Sequence, residues 1–192
     1  MKYEESGFTI IELIVVLAIL GIILAIAIPN YLGYQARAEA KAAVASLELI
    51  EDAIILHKID TGSWPHSKQI NQDPGLVTNI HSLSNWNGSY LNEWAPPLES
   101  ITQFSFIDYT KNAIPLFENF KARLFSSNEV SDNVKLLVMA HVSNEMILQA
   151  EQTIDGNLAS ATGDDTFGLT GKIRYKLYPN NKNLLALVIS FE

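Results

Sequence analysis

A long apolar run near the start of the sequence places the strongest limit on how this chain folds. Between residues 8 and 28, only Thr9, Glu12 and Gly21 interrupt the apolar side chains. As an α-helix these residues span about 30 Å, which matches the hydrocarbon core of a membrane. The sequence therefore predicts a helix that crosses a membrane once.

A secretory signal peptide explains this run less well than an anchor that stays on the chain. Signal peptides have a shorter apolar region, a basic front end and a small-residue cleavage site. Here the front end, MKYEESG, has one lysine against two acids, and the run continues through IAIPNY into another helical pattern. One interpretation is therefore an uncleaved single-span anchor in which Glu12 reaches the membrane surface.

The carboxylate of Glu12 is the unusual feature of the span. Placing a carboxylate in lipid costs about 3 kcal/mol or more, so such residues generally have a partner. Lys2 is one candidate. A new amine is another, because a cut between Gly7 and Phe8 would place an ammonium group one helical turn from Glu12. That ammonium can belong to the same chain or to a neighbouring one, and the spacing does not choose between these partners.

The segment GFTIIELIVVLAILGIILAIAIPNY closely resembles the N-terminus of type IV prepilins and of the pseudopilins of type II secretion. That family has a short hydrophilic leader, glycine before the cut, phenylalanine after it, glutamate at the fifth mature position and a proline late in the helix. Gly7, Phe8, Glu12 and Pro29 occupy these positions. The chain departs from the family in its leader, because family leaders carry more positive charge than MKYEESG does.

The resemblance implies how such a chain is processed and where it acts. A membrane prepilin peptidase and methyltransferase would remove residues 1–7 and methylate the Phe8 amine. Glu12 would then pair with the N-terminus of a neighbouring pilin or pseudopilin subunit on a membrane assembly platform, so an acid left unsatisfied in lipid would favour docking. The expected location is the inner membrane, crossed once with an extracytoplasmic head, followed by a periplasmic or extracellular filament.

The helix is predicted to continue past the membrane to about residue 59. Pro29 cannot donate a backbone hydrogen bond, so residues 24–28 should kink or loosen, and Gly21 adds softness or permits close helix approach. Gly62 is the expected C-cap. The second half of the helix is amphipathic, since apolar residues recur at three- and four-residue steps: Leu32, Ala36, Ala40, Val44, Leu47, Ile50 and Ile54.

The remainder of the chain predicts an α+β head. Apolar patterns predict strands at residues 104–109, 134–142, 172–178 and 184–191, the last two as a terminal hairpin. Short amphipathic helices are predicted at residues 114–125 and 144–154, the second capped by Asn144. An antiparallel sheet packed on the second half of the long helix accommodates these elements, and the pilin resemblance implies the same fold.

These predictions divide the chain into four parts. They are a leader at residues 1–7, a transmembrane and filament-core helix at 8–28, the amphipathic half of the helix at 29–60, and a globular head at 61–192. Residues 65–100 are rich in Asn, Ser, Gly and Pro and predict a long irregular segment. Trp64, Trp86 and Trp94 are expected to pin that segment to the helix and sheet, although a sugar-binding surface is an alternative.

Composition and motifs exclude several functions. The chain has no cysteine, which excludes disulfides and cysteine-ligated metal clusters. Its net charge of -8 is opposite to that of a nucleic-acid-binding surface, so no nucleic-acid partner is expected. No nucleophile–base pair or phosphate-binding loop is recognisable, so we expect no enzyme. The histidines lack metal-ligand spacing and are expected at surface or loop positions: His57, His66, His81 and His141.

One loop is a candidate calcium site. The sequence TGDDTFG places Asp164 and Asp165 in a glycine-flanked turn, with Asp155 nearby. Clustered carboxylates are typical calcium ligands, and major pseudopilins hold calcium in a C-terminal loop. A solvated acidic loop without metal is the alternative, because the EF-hand register is absent.

Three functions fit these features. The first is a structural subunit that leaves the membrane and polymerises through its N-terminal helix. The second is a low-abundance minor pilin or tip protein whose head contacts a secreted substrate or a surface. The third is a single-span membrane-anchored domain that does not assemble.

Overall fold

The structure, a computed structural model, describes residues 8–66, 70–108, 134–156, 167–168, 172–178 and 183–191. The chain forms two compact units, Met1–Ala38 and Glu39–Glu192. A single long helix supplies the described part of the first unit and begins the second. The predicted helix at residues 114–125 lies outside the described residues.

Helix α1 spans Ile10–Thr61 and ends where the sequence predicted. Gly62 adopts a positive φ of 72°, a conformation that glycine enters without steric cost. Its N–H donates to the carbonyl of Lys58 at 2.9 Å, and the Lys58 ammonium donates to the Gly62 carbonyl at 3.2 Å. These two bonds satisfy carbonyl groups that would otherwise be left open at the helix end.

Within the second unit, α1 buries one face against a sheet. The buried positions follow the helical period: Ala40, Ala43, Val44, Leu47, Ile50, Glu51, Ala53, Ile54 and His57. The predicted apolar face is confirmed from Ala40 onwards. It is wrong for Leu32 and Ala36, which are exposed on the first unit, because the described part of that unit is helix alone and no sheet covers it.

The described strands form one antiparallel sheet in the order β1-β2-β5-β4-β3. Their bounds are β1 Gln103–Asp108, β2 Val134–Val142, β3 Phe167–Gly168, β4 Ile173–Lys176 and β5 Asn183–Phe191. The four predicted strands and the terminal hairpin are confirmed, and the α+β architecture with them. Strand β3 was predicted as loop; two residues paired to Tyr175 and Lys176 are too short to leave an apolar pattern.

Strands β2 and β5 are central, and their core-facing residues are fully buried. Phe104, Phe106, Leu137, Leu185 and Leu187 pack with the α1 face in the main core. A second, smaller cluster lies among residues of β1, β2 and β5, including Val138 and Ala186. Burial on both faces explains why β2 and β5 have nearly continuous apolar sequences instead of alternating ones.

A short helix and a π-helical turn follow β2. Helix α2 spans Asn144–Ala150, and the π-helix spans Glu151–Asp155. The predicted cap was wrong by one residue: Ser143 is the N-cap, and its hydroxyl accepts a hydrogen bond from the Met146 N–H at 3.2 Å. Serine and asparagine are both strong caps, so residue type alone does not choose between adjacent positions.

The irregular segment between α1 and β1 is held by specific contacts. Both oxygens of Asp73 accept hydrogen bonds, from the N–H groups of residues 75, 76, 77 and 78 and from the Thr78 hydroxyl. Trp94 stacks on Phe104 with ring centroids 4.5 Å apart, and the Trp86 indole donates to the Gly75 carbonyl at 2.9 Å. Trp64 is also partly buried against the main core. These packing contacts are what the pinning interpretation of the tryptophans predicts.

Candidate functional site

The candidate site is the first turn of α1, around Glu12. Thr9 lies just before the helix and Glu12 is its third residue. Phe8, Ile11, Val15 and Val16 line an apolar depression of about 310 Å³ beside the stem of Glu12, whose carboxylate is exposed. The Phe8 side chain is 87% exposed, so the described residues form no covering layer over this end of the helix.

Glu12 and Thr9 form a reciprocal cap at the helix N-terminus. The Thr9 N–H and hydroxyl both donate to Oε2 of Glu12, at 2.8 and 2.7 Å, and the Glu12 N–H donates to the Thr9 hydroxyl at 3.4 Å. This is the capping box, which satisfies N–H groups that the first helical turn leaves open. The sequence contains its signature, a threonine followed three residues later by glutamate ahead of an apolar run, and we did not predict it.

The capping box corrects the expectation that the carboxylate has no partner until a second subunit docks. Its partners within the chain are the two donor groups of Thr9, and both bind Oε2. Oε1 accepts no hydrogen bond from any residue that the structure describes. Glu12 is therefore half satisfied within its own chain, and a second donor can bind without breaking the cap.

The structure describes only some of the other residues that were predicted to act in processing, in pairing with Glu12 or in bending the helix. Gly7 and Lys2 lie outside the described residues. Gly21 lies inside α1, and a β-carbon built there would meet no atom within 4 Å, so this surface is open to a neighbouring helix. Pro29 is also inside α1, and the Asn30 side-chain amide donates to the Ile26 carbonyl at 3.2 Å in the same turn.

Helix α1 is long and apolar enough to cross a membrane, judged by length and composition. Its large apolar side chains in the first unit are exposed, from Ile10 at 79% to Leu32 at 58%. An exposed apolar surface of this extent requires lipid or protein around it.

A second apolar row lies on α1 within the second unit, on the face opposite the core. It consists of exposed residues at helical spacing, Ala42, Ala45, Leu49 and Leu56, and the exposed Asp52 interrupts it between the two leucines. We call this row the outer stripe. Leu49 is 65% exposed and Leu56 is 48% exposed. The second half of α1 thus carries two apolar faces, and only one of them is covered by the chain itself.

The calcium candidates are only partly described. Asp164 and Asp165 lie outside the described residues. Both oxygens of Asp155 accept backbone N–H groups, from Lys172 and from Ile173, each at 2.9 Å. Asp155 therefore connects the end of the π-helix to the start of β4. Within the described ranges, no group of three His, Asp or Glu side chains is arranged to hold a metal ion.

The prediction of a surface or loop position is wrong for His57, which is 1% exposed on α1. Its Nδ1–H donates to the Ser63 carbonyl at 3.1 Å, and its ring packs edge-on against Tyr90. Burial lowers the pKa of His57, with the charge of His81 acting in the same direction, so the neutral ring is favoured. An apolar-face histidine at the end of a helix joins the core because its body is apolar.

Two acids are buried in the second unit, and one of them pairs with a half-exposed lysine that precedes β4. The Lys172 ammonium binds Oε1 of Glu51 at 2.6 Å, and Glu51 is 9% exposed. Glu151 on the π-helix is 6% exposed. The pKa of Glu151 is raised to about 7, chiefly by burial and also by the charge of Asp155, while the charge of Arg174 opposes the shift.

The Glu151 pKa predicts that stability falls as pH rises. The folded chain binds a proton at Glu151 up to about pH 7, whereas an unfolded glutamate releases it near pH 4.5. Raising the pH between these two values therefore favours the unfolded chain. Glu151→Gln removes this pH dependence. From pH 5 to pH 8, the free energy of unfolding of the native chain should therefore fall by up to about 3 kcal/mol more than that of the variant. Denaturant unfolding of the detergent-solubilised chain at both pH values measures it. Glu48→Gln, an exposed acid on α1, is the control, and an equal change for both variants would contradict the prediction.

Two protein families match this sequence and together cover its first half. Residues 4–28 match the family described as Prokaryotic N-terminal methylation motif, and residues 30–104 match Type II secretion system (T2SS), protein G. No solved structure matches the chain significantly.

Individual relatives extend the match further. The type IV major pilin protein PilE of Neisseria gonorrhoeae is 31% identical over 135 residues, which are 59% of this chain and 81% of that pilin. A fimbrial protein of Neisseria meningitidis is 41% identical over 116 residues, 50% of this chain and 68% of that protein. Type II secretion system core protein G of Aeromonas hydrophila is 35% identical over 68 residues, 35% of this chain, and the match spans 48% of that protein.

Proposed function

Because this chain belongs to the family of type IV pilins and type II secretion pseudopilins, we propose that it is cut between Gly7 and Phe8 and polymerises through Glu12. The chain is a structural subunit of a type IV pilus or of a type II secretion pseudopilus. A prepilin peptidase removes residues 1–7 and methylates the Phe8 amine. The processed, membrane-spanning chain is then drawn from the inner membrane by an assembly platform.

The half-satisfied carboxylate of Glu12 is the observation that carries this proposal. Thr9 occupies Oε2, and Oε1 accepts no bond from the described residues. A methylated Phe8 ammonium of a neighbouring subunit is a donor of matching charge. In a surrounding of low dielectric constant, such a charge-assisted bond is stronger than in water. The capping box orients Glu12 before the neighbour arrives, so docking does not have to order this side chain.

The exposed surfaces of α1 support packing of helices side by side. The large apolar side chains of the first unit are exposed, and the outer stripe adds Leu49 and Leu56 in the second unit. Small residues among them allow close approach, since even a β-carbon added at Gly21 would meet no atom within 4 Å, and Ala42 and Ala45 lie on the outer stripe. Lipid covers the first unit before assembly, and neighbouring helices replace it in the filament.

Mass spectrometry of the chain from its native cells tests the processing. We expect a polypeptide that begins at Phe8 and carries one added methyl group on its amine. A chain that retains residues 1–7 in cells possessing the peptidase would contradict the proposal and would favour the simple membrane anchor.

A low-abundance minor or tip subunit is the second candidate, favoured by the head beyond residue 104. The matched pseudopilin family ends at that residue, whereas the sheet continues through β5. A tip subunit uses such an extension to bind a secreted substrate or a surface. The copy number in sheared filaments separates the two candidates: a major subunit accounts for nearly all of the filament mass, and a tip subunit for a trace of it.

Calcium binding by Asp155, Asp164 and Asp165 is a separate part of the proposal. Asp155 already accepts hydrogen bonds from two backbone N–H groups at the start of β4. Calcium would therefore fasten the loop that runs from Asp155 to β4. We expect calcium added after chelation to raise the melting temperature of the chain, and magnesium to have little effect. Asp165→Asn should abolish the increase. Asp155→Asn is a poor test, because it also weakens the bonds to β4. A melting temperature that chelator and calcium leave unchanged would refute calcium binding.

A further inference from the structure

The dipeptide Asn87-Gly88 lies in the irregular segment between α1 and β1, and Asn87 is exposed. The side-chain amide of Asn87 forms no hydrogen bond with any described residue, and the Gly88 N–H donates to none of them. The described part of the chain therefore contains no contact that holds the Asn87 amide away from the nitrogen of Gly88.

Packing against Tyr90 requires glycine at position 88. A β-carbon built on Gly88 would lie 2.8 Å from the Tyr90 nitrogen and 2.9 Å from the Tyr90 ring, well inside the normal contact distance. A side chain on the residue after asparagine hinders attack of that residue's nitrogen on the asparagine amide. The packing that excludes a side chain at Gly88 thus also removes this hindrance beside Asn87.

We propose that Asn87 is a site of spontaneous deamidation. The Gly88 nitrogen loses its proton to solvent and bonds to Cγ of Asn87, while the side-chain nitrogen takes up a proton and leaves as ammonia. Water then opens either carbonyl group of the resulting five-membered succinimide, which gives aspartate or isoaspartate at position 87. The net reaction is hydrolysis of an amide, with water as the co-reactant. The inference is independent of the proposed function, because the reaction needs neither processing nor assembly.

The other positions where such a ring could form are less open to reaction. In the whole sequence, glycine follows asparagine only at Asn87. The Asn79 amide donates to the Leu83 carbonyl at 3.0 Å and accepts the Leu83 N–H at 2.8 Å. Asp155, which also precedes a glycine, has both carboxylate oxygens bound to backbone N–H groups at the start of β4.

The isoaspartate product would disturb a connection between the irregular segment and α1. The Asn87 N–H donates to the Tyr90 hydroxyl at 3.1 Å, and that hydroxyl donates to Oδ2 of Asp60, also at 3.1 Å. Isoaspartate inserts a methylene group into the backbone between residues 87 and 88. Because Gly88 already packs tightly on Tyr90, the longer backbone would displace one of them and weaken the connection to Asp60.

Ageing of the full, detergent-solubilised chain at mildly alkaline pH tests the site. Peptide mapping by mass spectrometry should show Asn87 deamidating at least tenfold faster than any other described asparagine, with isoaspartate as the main product. The rate should increase with pH, because the Gly88 nitrogen has to lose its proton. Asp155 should isomerise only after denaturation. A rate at Asn87 more than tenfold lower in the folded chain than in the denatured chain would show that the fold protects the site, and would overturn the proposal.

Asn87→Gln is the matched control, because its longer side chain would have to form a six-membered ring, which is a much slower reaction. The melting temperature of the native chain should fall on ageing, while that of Asn87→Gln should stay the same. Fresh Asn87→Asp carries the new charge without the inserted methylene group, so its melting temperature should fall less than that of the aged native chain. Equal melting temperatures for fresh and fully deamidated native chain would refute the weakened connection to Asp60.

Discussion

Replacing Glu12 with leucine is expected to leave the chain inserted in the membrane and to reduce filament assembly at least tenfold. The substitution removes an insertion cost of about 3 kcal/mol, so the precursor should remain stable in the bilayer. It also removes the oxygen atoms that accept the Thr9 donors and would accept the ammonium of a neighbour. Filament yield after shearing, compared with the amount of chain in the membrane fraction, measures the effect.

A matched substitution separates the neighbour's contact from the helix cap. Glu12→Gln retains a side-chain oxygen that can accept the Thr9 N–H, but carries no charge to attract an ammonium group. We expect its assembly to be nearly as poor as that of Glu12→Leu. Full assembly of Glu12→Gln would show that capping of α1 is what the residue provides. Full assembly of Glu12→Leu would refute any role for the carboxylate.

Replacing Gly7 with glutamate is expected to prevent removal of residues 1–7 and to abolish filaments. A charged side chain would occupy the position next to the bond that we propose is cut, where the family has glycine. Without the cut, Phe8 has no free amine, so methylation fails and Glu12 of a neighbour has no ammonium to bind. Intact-mass measurement should find the full precursor in the membrane.

The leader itself supplies the control for this experiment. Glu5→Gln changes a charge within residues 1–7 but leaves Gly7 and Phe8 intact, so cutting and assembly should continue. Filaments built from Gly7→Glu chains that still carry residues 1–7 would show that a new N-terminus is unnecessary for assembly.

The elements that sequence predicted well are those with strong local signals. Helix α1 has a membrane-length apolar run, a helical period from Ala40 and a glycine stop, and these gave its end within two residues. Strands β2 and β5 have long runs of branched and aliphatic residues, so their existence did not depend on distant contacts.

Features set by distant contacts were not recoverable from sequence. Strand β3 exists because two residues pair with β4, and His57 is buried because Tyr90 and the irregular segment cover it. Burial of Glu51 and Glu151 likewise depends on partners from elsewhere in the chain, such as Lys172, which is 121 residues from Glu51. Such pairs leave no local pattern.

The roles of the candidate site residues stay predictions, and the structure adds a hydrogen-bonding pattern at Glu12 that was not predicted. Gly7, Phe8 and Glu12 were identified through resemblance, whereas the capping box between Thr9 and Glu12 required only a local spacing rule. The outer stripe was also visible in the sequence. It was overlooked because an amphipathic helix is expected to have a single apolar face, and alanine at Ala42 and Ala45 contributes little to an apolar count.

The sheet order has a consequence for how the subunit is made. Strand β5 lies between β2 and β4, so the two parts of the described sheet cannot join before residues 183–191 have been synthesised. Completion of the sheet therefore depends on the last described strand of the chain. A premature stop before residue 183 should yield a chain that quality-control proteases degrade instead of a shorter building block.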